Sequence, residues 1–176
     1  GIRCVTFSCE QRLPLLGHAA IRDLFVNVLV AARVRCHFEL FAWVAMPEHV
    51  HLLMRPRDGA TADRILSFIK KSVAQRVIAR WRELDAAVLS AIRRPDGSPR
   101  FWQKGGGFDR NVRDQAEFTR AVAYIHRNPM KRGLVVRPEE WRWSSVRLWM
   151  GQREGEVECD PPPGDARVWA MWRGFM

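Results

Sequence analysis

The sequence predicts an α+β fold, a ferredoxin-like antiparallel β-sheet with helices packed on one face. Two observations predict it. Segments of alternating polarity and segments of helical periodicity follow one another in the order β-α-β-β-α-(β)-α. The 176-residue chain is also 47% apolar, which is enough for one well-packed core.

Alternation of apolar and polar residues predicts the strands, and apolar residues three or four apart predict the helices. On one predicted strand, Cys36, Phe38, Leu40, Ala42 and Val44 are expected to share a face. The predicted strands are 2–8, 35–46, 49–55 and a short one at 101–103, and the glycines at 105–107 end the last of these. Three helices are predicted. The first covers 18–33, the second is capped by Thr61, and the third begins near Asp114.

The last predicted helix carries a clear apolar stripe, formed by Phe118, Ala121, Val122 and Ile125. Glu117 completes a capping pattern with Asp114 at its start. Because proline cannot donate a helical hydrogen bond, Pro129 predicts that this helix ends near Asn128.

The chain carries a net charge of +10 and has a calculated pI near 10.6, which favours an anionic partner, with nucleic acid the leading candidate. The cysteines, Cys4, Cys9, Cys36 and Cys159, form no Cys-x-x-Cys pair, which argues against a thiolate zinc site and is typical of a reducing cytoplasm. No apolar run approaches the ~20 residues of a membrane-spanning helix. We therefore expect a cytoplasmic protein without a membrane partner.

His49 and His51 lie two residues apart on a predicted strand, so their side chains project to the same side. At about 6.5 Å between Cα atoms, two imidazoles can share one metal ion. Val50, Leu52 and Met54 then face the core. Two surface histidines without a ligand remain an equally good interpretation of this pattern alone.

Tyr124, the single tyrosine of the chain, lies on the last predicted helix, away from the centre of its apolar stripe. Asn128 lies one turn further on the same side, and its amide oxygen is a suitable ligand for a hard divalent cation. Each residue alone also fits a plain structural role at the helix boundary. Together with the histidine pair, they predict a metal site with a nucleophile beside it.

Several motifs resemble one family. Met46-Pro47-Glu48-His49-Val50-His51-Leu52-Leu53 is similar to the His-hydrophobic-His core of the single-tyrosine HUH transposases. Four further segments resemble the branch of REP-associated tyrosine transposases. They are Phe101-Trp102-Gln103-Lys104, Tyr124-Ile125-His126-Arg127-Asn128-Pro129, Gly133-Leu134-Val135 and Trp143-Ser144-Ser145. The resemblance covers residues 2–148 in order. The 85–99 segment is longer than usual, and the triple glycine departs from the pattern.

The resemblance implies a catalytic domain over residues 1–150, followed by a linker and C-terminal tail over 151–176. It implies a metal-dependent enzyme that cleaves and rejoins single-stranded DNA, with His49, His51 and Asn128 as ligands and Tyr124 as nucleophile. The expected substrate is a hairpin of repetitive extragenic palindromes, and the expected intermediate is a 5′-phosphotyrosine. Mg²⁺ or Mn²⁺ is the expected metal, with no nucleotide cofactor. The protein is expected to be a monomer or a homodimer.

Basic residues along the chain are candidates for contacts with DNA phosphates, although a solvated surface role explains each of them as well. They are Arg55, Lys70, Lys71, Arg76, Arg113, Arg127, Lys131 and Arg132. Trp102 and Trp141 could stack on unpaired bases, with core packing as the favoured alternative.

Two other functions stay open. The first is a DNA-binding module of the same fold without activity, which would bind DNA without a metal. The second is a zinc hydrolase that uses a water nucleophile, for which His126 or His37 would supply a third ligand.

Overall fold

The computed structural model describes residues 1–105, 107–152 and 157–164. Its framework is a four-stranded antiparallel sheet in the order β2-β3-β1-β4. The strands are β1 (Ile2–Ser8), β2 (Phe38–Ala45), β3 (His49–Pro56) and β4 (Phe108–Val112). The helices are α1 (Ala19–Cys36), α2 (Ala62–Glu83), α3 (Val88–Ala91), α4 (Gln115–Lys131) and α5 (Val146–Trp149), with 3₁₀ turns at Glu10–Arg12 and Pro138–Glu140. The predicted α+β class is confirmed.

The strand β3 alternates as predicted. Val50, Leu52 and Met54 enter a core formed with α1 and α2, while Leu53 enters a second core on the opposite face. Apolar side chains therefore pack β3 on both faces of the sheet, and this packing holds the strand that carries the histidines in place.

The prediction of one shared face along β2 is wrong, because the strand contains a β-bulge between Leu40 and Ala42. A bulge adds one residue to one strand, so the side chains beyond it change faces. Leu40 packs with α1 and α2, whereas Ala42 and Val44 pack in the second core.

The sheet carries helices on both faces. Helices α1 and α2 share one face, as expected, and pack against each other. Helix α4 is the exception to the predicted arrangement and covers the other face, where its buried stripe meets β2 and β3. The reason is that the bulge and Leu53 give this second face its own apolar surface, which α4 buries.

The fourth strand lies after the glycine segment rather than before it. Residues 101–103 form only a single bridge, between Trp102 and Cys9, and the ring of Trp102 is buried against Phe7. Strand β4 begins at Phe108 and pairs with β1. Alternation alone missed it because β4 is a short edge strand with little apolar character on its outer positions.

Helix α4 begins as predicted, since the Asp114 side chain accepts from the Glu117 amide at 2.7 Å. Its predicted end near Asn128 is wrong, because the helix continues through Pro129 to Lys131. Proline removes one donor but its backbone angle suits a helix, and only one more turn follows. This extra turn brings Lys131 and Arg132 over the site described below.

Beyond α5, Val157 is buried in the larger core, and Asp160 binds the backbone amide of Leu40 and the guanidinium of Arg33. The boundary predicted at residue 150 stays a prediction. The sequence also predicts that the end of the chain docks back through Trp169 and Trp172, and these residues lie outside the described ranges. Within the described ranges, every helix is too short or too polar to cross a membrane.

Candidate active site

The two histidines predicted on β3 lie together. His49 and His51 are both 4% exposed, and their Nε2 atoms are 3.0 Å apart. Alternation along β3 sends both rings to the face that α4 covers. The sequence-predicted pair is therefore a single buried unit rather than two surface side chains.

Each imidazole is held from behind through its Nδ1 atom. The Glu48 carboxylate lies 3.0 Å from Nδ1 of His49, and the Thr6 hydroxyl lies 2.6 Å from Nδ1 of His51. An ionised carboxylate only accepts, so Nδ1 of His49 carries the proton and its Nε2 keeps a lone pair. The Thr6 hydroxyl can accept from His51 in the same way, because a hydroxyl both donates and accepts.

Burial keeps both rings neutral. It lowers the pKa of His51 to about 3, with the neighbouring His49 and Arg12 acting in the same direction. Burial also lowers the pKa of His49, although the Glu48 carboxylate opposes the shift. Neutral imidazoles with lone pairs at Nε2 are the form that binds metal ions.

Helix α4 brings the third and fourth predicted residues to the pair. The Asn128 amide is 3.0 Å from Nε2 of His51, and the ring centroid of Tyr124 is 5.2 Å from that of His51. Tyr124 remains 46% exposed, while Asn128 is buried. The predicted spacing of four residues places the phenol ring of Tyr124 at the protein surface and the amide of Asn128 in the interior.

The end of α4 is tied to the strand that carries the histidines. Arg132 lies 2.9 Å from the same Glu48 oxygen that contacts His49. The Lys131 ammonium lies 4.9 Å from the centre of the Tyr124 ring. Glu48 thereby joins the histidine pair and the tyrosine helix in one network.

These groups open into a cavity of about 830 Å³. Positive side chains from three parts of the chain line it. They are Arg12, Arg110, Arg120, Arg127, Lys131 and Arg132. Such a cluster beside an exposed hydroxyl suits a polyanionic ligand.

The sequence-predicted cations divide into two groups. Arg127, Lys131 and Arg132 line the cavity. Arg55 is instead bound by the Glu39 carboxylate at the far end of β3. Lys70 and Lys71 lie in a separate groove on α2. Arg76, on α2, and Arg113, just after β4, do not line the cavity either.

Neither tryptophan proposed for base stacking is available for it. Trp102 is 6% exposed and donates its indole N–H to the Lys70 carbonyl, and Trp141 donates to the Ala45 carbonyl. Both serve core packing, the favoured alternative.

Sequence reasoning missed several residues of the site. Thr6, Arg12, Arg110 and Arg120 come from β1, the following turn, β4 and α4. The missing signal is the pairing of β1 with β3, which sets Thr6 opposite His51. Glu48 was missed as well, although its position directly before His49 could have suggested a supporting carboxylate.

The donors fit a divalent cation. Two ligands at a bond length of about 2.1 Å and a right angle are about 3.0 Å apart, which matches the separation of 3.0 Å between the histidine Nε2 atoms. Asn128 supplies an amide whose oxygen and nitrogen exchange places by a simple rotation. Among the described residues, no group of three His, Cys, Asp or Glu side chains is arranged to hold a metal. The third donor available is therefore this amide.

The comparisons with known proteins agree with the motifs. The chain is 29% identical over 109 residues to a REP-associated tyrosine transposase of Escherichia coli, covering 61% of this chain and 54% of that protein. It is 27% identical over 110 residues to the provisionally named REP-associated tyrosine transposase of Haemophilus influenzae, covering 61% and 58%. The chain resembles the REP-associated tyrosine transposases. No protein-family model matches it.

The fold agrees as well. A solved REP-associated tyrosine transposase, bound to a REP hairpin, superposes with a TM-score of 0.66 at 20% identity, over 94% of this chain and 90% of that one. This likeness shows the fold. The sequence matches span little more than half the length of the two REP-associated transposases.

Proposed function

We propose that this chain is a transposase-like enzyme that cleaves and rejoins single-stranded DNA, with Tyr124 as its nucleophile. One observation carries the proposal. An exposed tyrosine lies directly beside a buried, neutral histidine pair, in a cavity lined by positive side chains. Metal-assisted phosphoryl transfer to a side chain uses a nucleophile, metal ligands and positive charge around the phosphate, and this site offers all of them.

His49, His51 and Asn128 are the residues that would hold the metal, with Mg²⁺ or Mn²⁺ expected. When bound, such a cation polarises the phosphate and neutralises charge that builds on its oxygens. Glu48 and Thr6 keep both Nε2 atoms directed at this point through the opposite nitrogens.

The chemical step exchanges one phosphoester for another. The Tyr124 oxygen forms a bond to phosphorus, and the bond from phosphorus to the 3′ oxygen breaks. The phenol proton passes to solvent, and the leaving oxygen takes up a proton to become a 3′-OH. Because a phosphodiester is retained as a 5′-phosphotyrosine, a 3′-OH can reverse the step and join strands without a nucleotide cofactor.

The cations at the cavity supply the contacts to DNA. Arg127 and Lys131 follow Tyr124 along α4, so they lie where the phosphates on either side of the scissile bond would pass. The related structure contains a REP hairpin, and hairpin-forming single strands are therefore the substrate class we propose.

Neither alternative gains support. A zinc hydrolase needs a third ligand, but His126 is buried with Nε2 2.8 Å from the Ser145 hydroxyl, and His37 caps the end of α1. An inactive DNA-binding module would not require the tyrosine ring and both Nε2 atoms to meet. The intact assembly favours an enzyme.

A covalent-capture assay tests the proposal. The protein is incubated with 3′-labelled hairpin DNA and Mn²⁺ or Mg²⁺, then resolved on a denaturing gel. A labelled band at the size of the protein, lost in Tyr124→Phe, is expected. Since the sequence contains a single tyrosine, the variant removes every phenol from the chain.

The stability and DNA binding of Tyr124→Phe are measured as controls. Tyr124 is half-exposed, so removing its hydroxyl should change the free energy of unfolding by less than about 0.5 kcal/mol. DNA binding should also remain. Cleavage that persists in Tyr124→Phe, or cleavage without an adduct, would overturn the assignment and point to a water nucleophile.

A further inference from the structure

Phe108 is a large apolar ring that the fold leaves in solvent. It is 60% exposed at the start of the edge strand β4. Within 1–105, 107–152 and 157–164, the exposed Phe, Trp and Tyr side chains are Phe108 and Tyr124. Both line the same cavity, whereas the other Phe and Trp rings within these ranges pack wholly or partly into the two cores.

Strand pairing places Phe108 in line with the histidine site. His51 pairs with Thr6 across β3 and β1, and Thr6 pairs with Phe108 across β1 and β4. Directly opposed residues of antiparallel strands point to the same face. Two inter-strand spacings of ~4.8 Å put Phe108 about 10 Å from His51 in the plane of the sheet.

A glycine fixes the ring in this position. Gly107 has φ +73°, and a Cβ atom added there would lie 1.8 Å from the Thr6 carbonyl oxygen. The backbone just before Phe108 therefore passes against β1 more closely than any other residue type allows. The ring is held on a paired strand, next to the residue that supports His51.

The surroundings of the ring suit a nucleic-acid strand. Arg110 lies two residues along the same strand and on the same face, 3.9 Å from the Glu117 carboxylate. Arg120 lines the cavity from α4. An exposed aromatic ring that shares a cavity with cationic side chains is suited to bind unpaired bases and their phosphates.

We infer that Phe108 stacks on an unpaired base adjacent to the scissile phosphate and so selects single-stranded DNA. The inference rests on the proposed function, because it takes the phosphate to lie at the Tyr124 and His51 site. A paired base has both faces covered within its duplex, so the ring would distinguish single strands from double strands.

The test compares Phe108→Ala, Phe108→Trp and a control, Leu84→Ala, whose side chain is similarly exposed, at 58%, at the end of α2. Affinities for single-stranded and duplex DNA of one length are measured by fluorescence anisotropy in EDTA, where no cleavage occurs. Phe108→Ala should weaken single-strand binding on the order of 10- to 100-fold. Phe108→Trp and Leu84→Ala should not weaken it, and duplex binding should not change.

A second readout reports stacking itself. With 2-aminopurine placed beside the scissile position, binding should quench its fluorescence in the wild type and in Phe108→Trp, and not in Phe108→Ala. Equal single-strand affinity and equal quenching in Phe108→Ala would overturn the inference, even if the covalent adduct with Tyr124 forms. Loss of both in Phe108→Ala would support it, even if no adduct forms in the capture assay.

Discussion

Replacing Gly107 by alanine should separate β4 from β1 at their first residue pair. The new methyl group would lie 1.8 Å from the Thr6 carbonyl oxygen and 2.9 Å from its carbonyl carbon, both of them backbone atoms. Backbone on a central strand cannot rotate away as a side chain can. The strand β4 must therefore move, together with Phe108 at its first position.

Two costs add at this position. A positive φ angle costs an alanine about 1–2 kcal/mol relative to glycine, and the loss of one ladder hydrogen bond costs about 1 kcal/mol more. Gly59 has almost the same angle, φ +77°, with open space around it, so Gly59→Ala carries the first cost alone. The difference between the two variants, about 1 kcal/mol or more, isolates the close approach of the strands.

Urea unfolding of both variants measures this difference. Gly107→Ala should have the lower midpoint at an unchanged slope, and it should also bind single-stranded DNA more weakly, because Phe108 is displaced. If the two variants are equally stable and equally able to bind DNA, the tight packing of Gly107 on Thr6 is refuted as the device that positions Phe108.

Two further predictions concern buried and paired carboxylates. Hydrogen bonds from Arg55 and then Arg57 hold the pKa of Glu39 at about 2. Its contribution to stability is fully present above the unfolded pKa of ~4.3 and is lost as the pH falls toward 2. Measured by urea unfolding, Glu39→Gln should therefore lose less stability than the wild type between about pH 5 and about pH 2.5; an identical loss would contradict the assignment. In Glu48→Gln the side chain no longer fixes the proton of His49 on Nδ1. The variant should therefore bind Mn²⁺ about 10- to 100-fold more weakly in calorimetric titrations without DNA. Wild-type affinity in this variant would show that Glu48 does not orient the His49 ring.

The local part of the site could be predicted from sequence, because its spacings are properties of single elements. The two-residue alternation of His49 and His51 holds on any strand, and the four-residue spacing of Tyr124 and Asn128 holds on any helix. The exposure of Tyr124 followed from its angle to the apolar stripe. These rules place side chains relative to their own backbone and need no knowledge of the partner element.

What could not be predicted depends on pairing between distant segments. Thr6 and Phe108 become part of the site only through the register of β1 with its two neighbours. The bulge in β2, which gives the second face its apolar surface, leaves no signal in the alternation of Ala42 and Val44. Periodicity reports which face a residue shares with its neighbours, and it does not report which helix covers that face.

The two faces of the sheet have different tasks, and this difference explains where the cavity lies. On one face, α1 and α2 bury Val50 and Leu52 and so fix β3 from behind. On the other, α4 packs mainly on β2 and makes fewer contacts with β3. The part of this face around Thr6, Phe108 and Arg110 lines the cavity, and the histidines line it too. A buried histidine pair next to an exposed tyrosine thus follows from a helix that covers only part of its face.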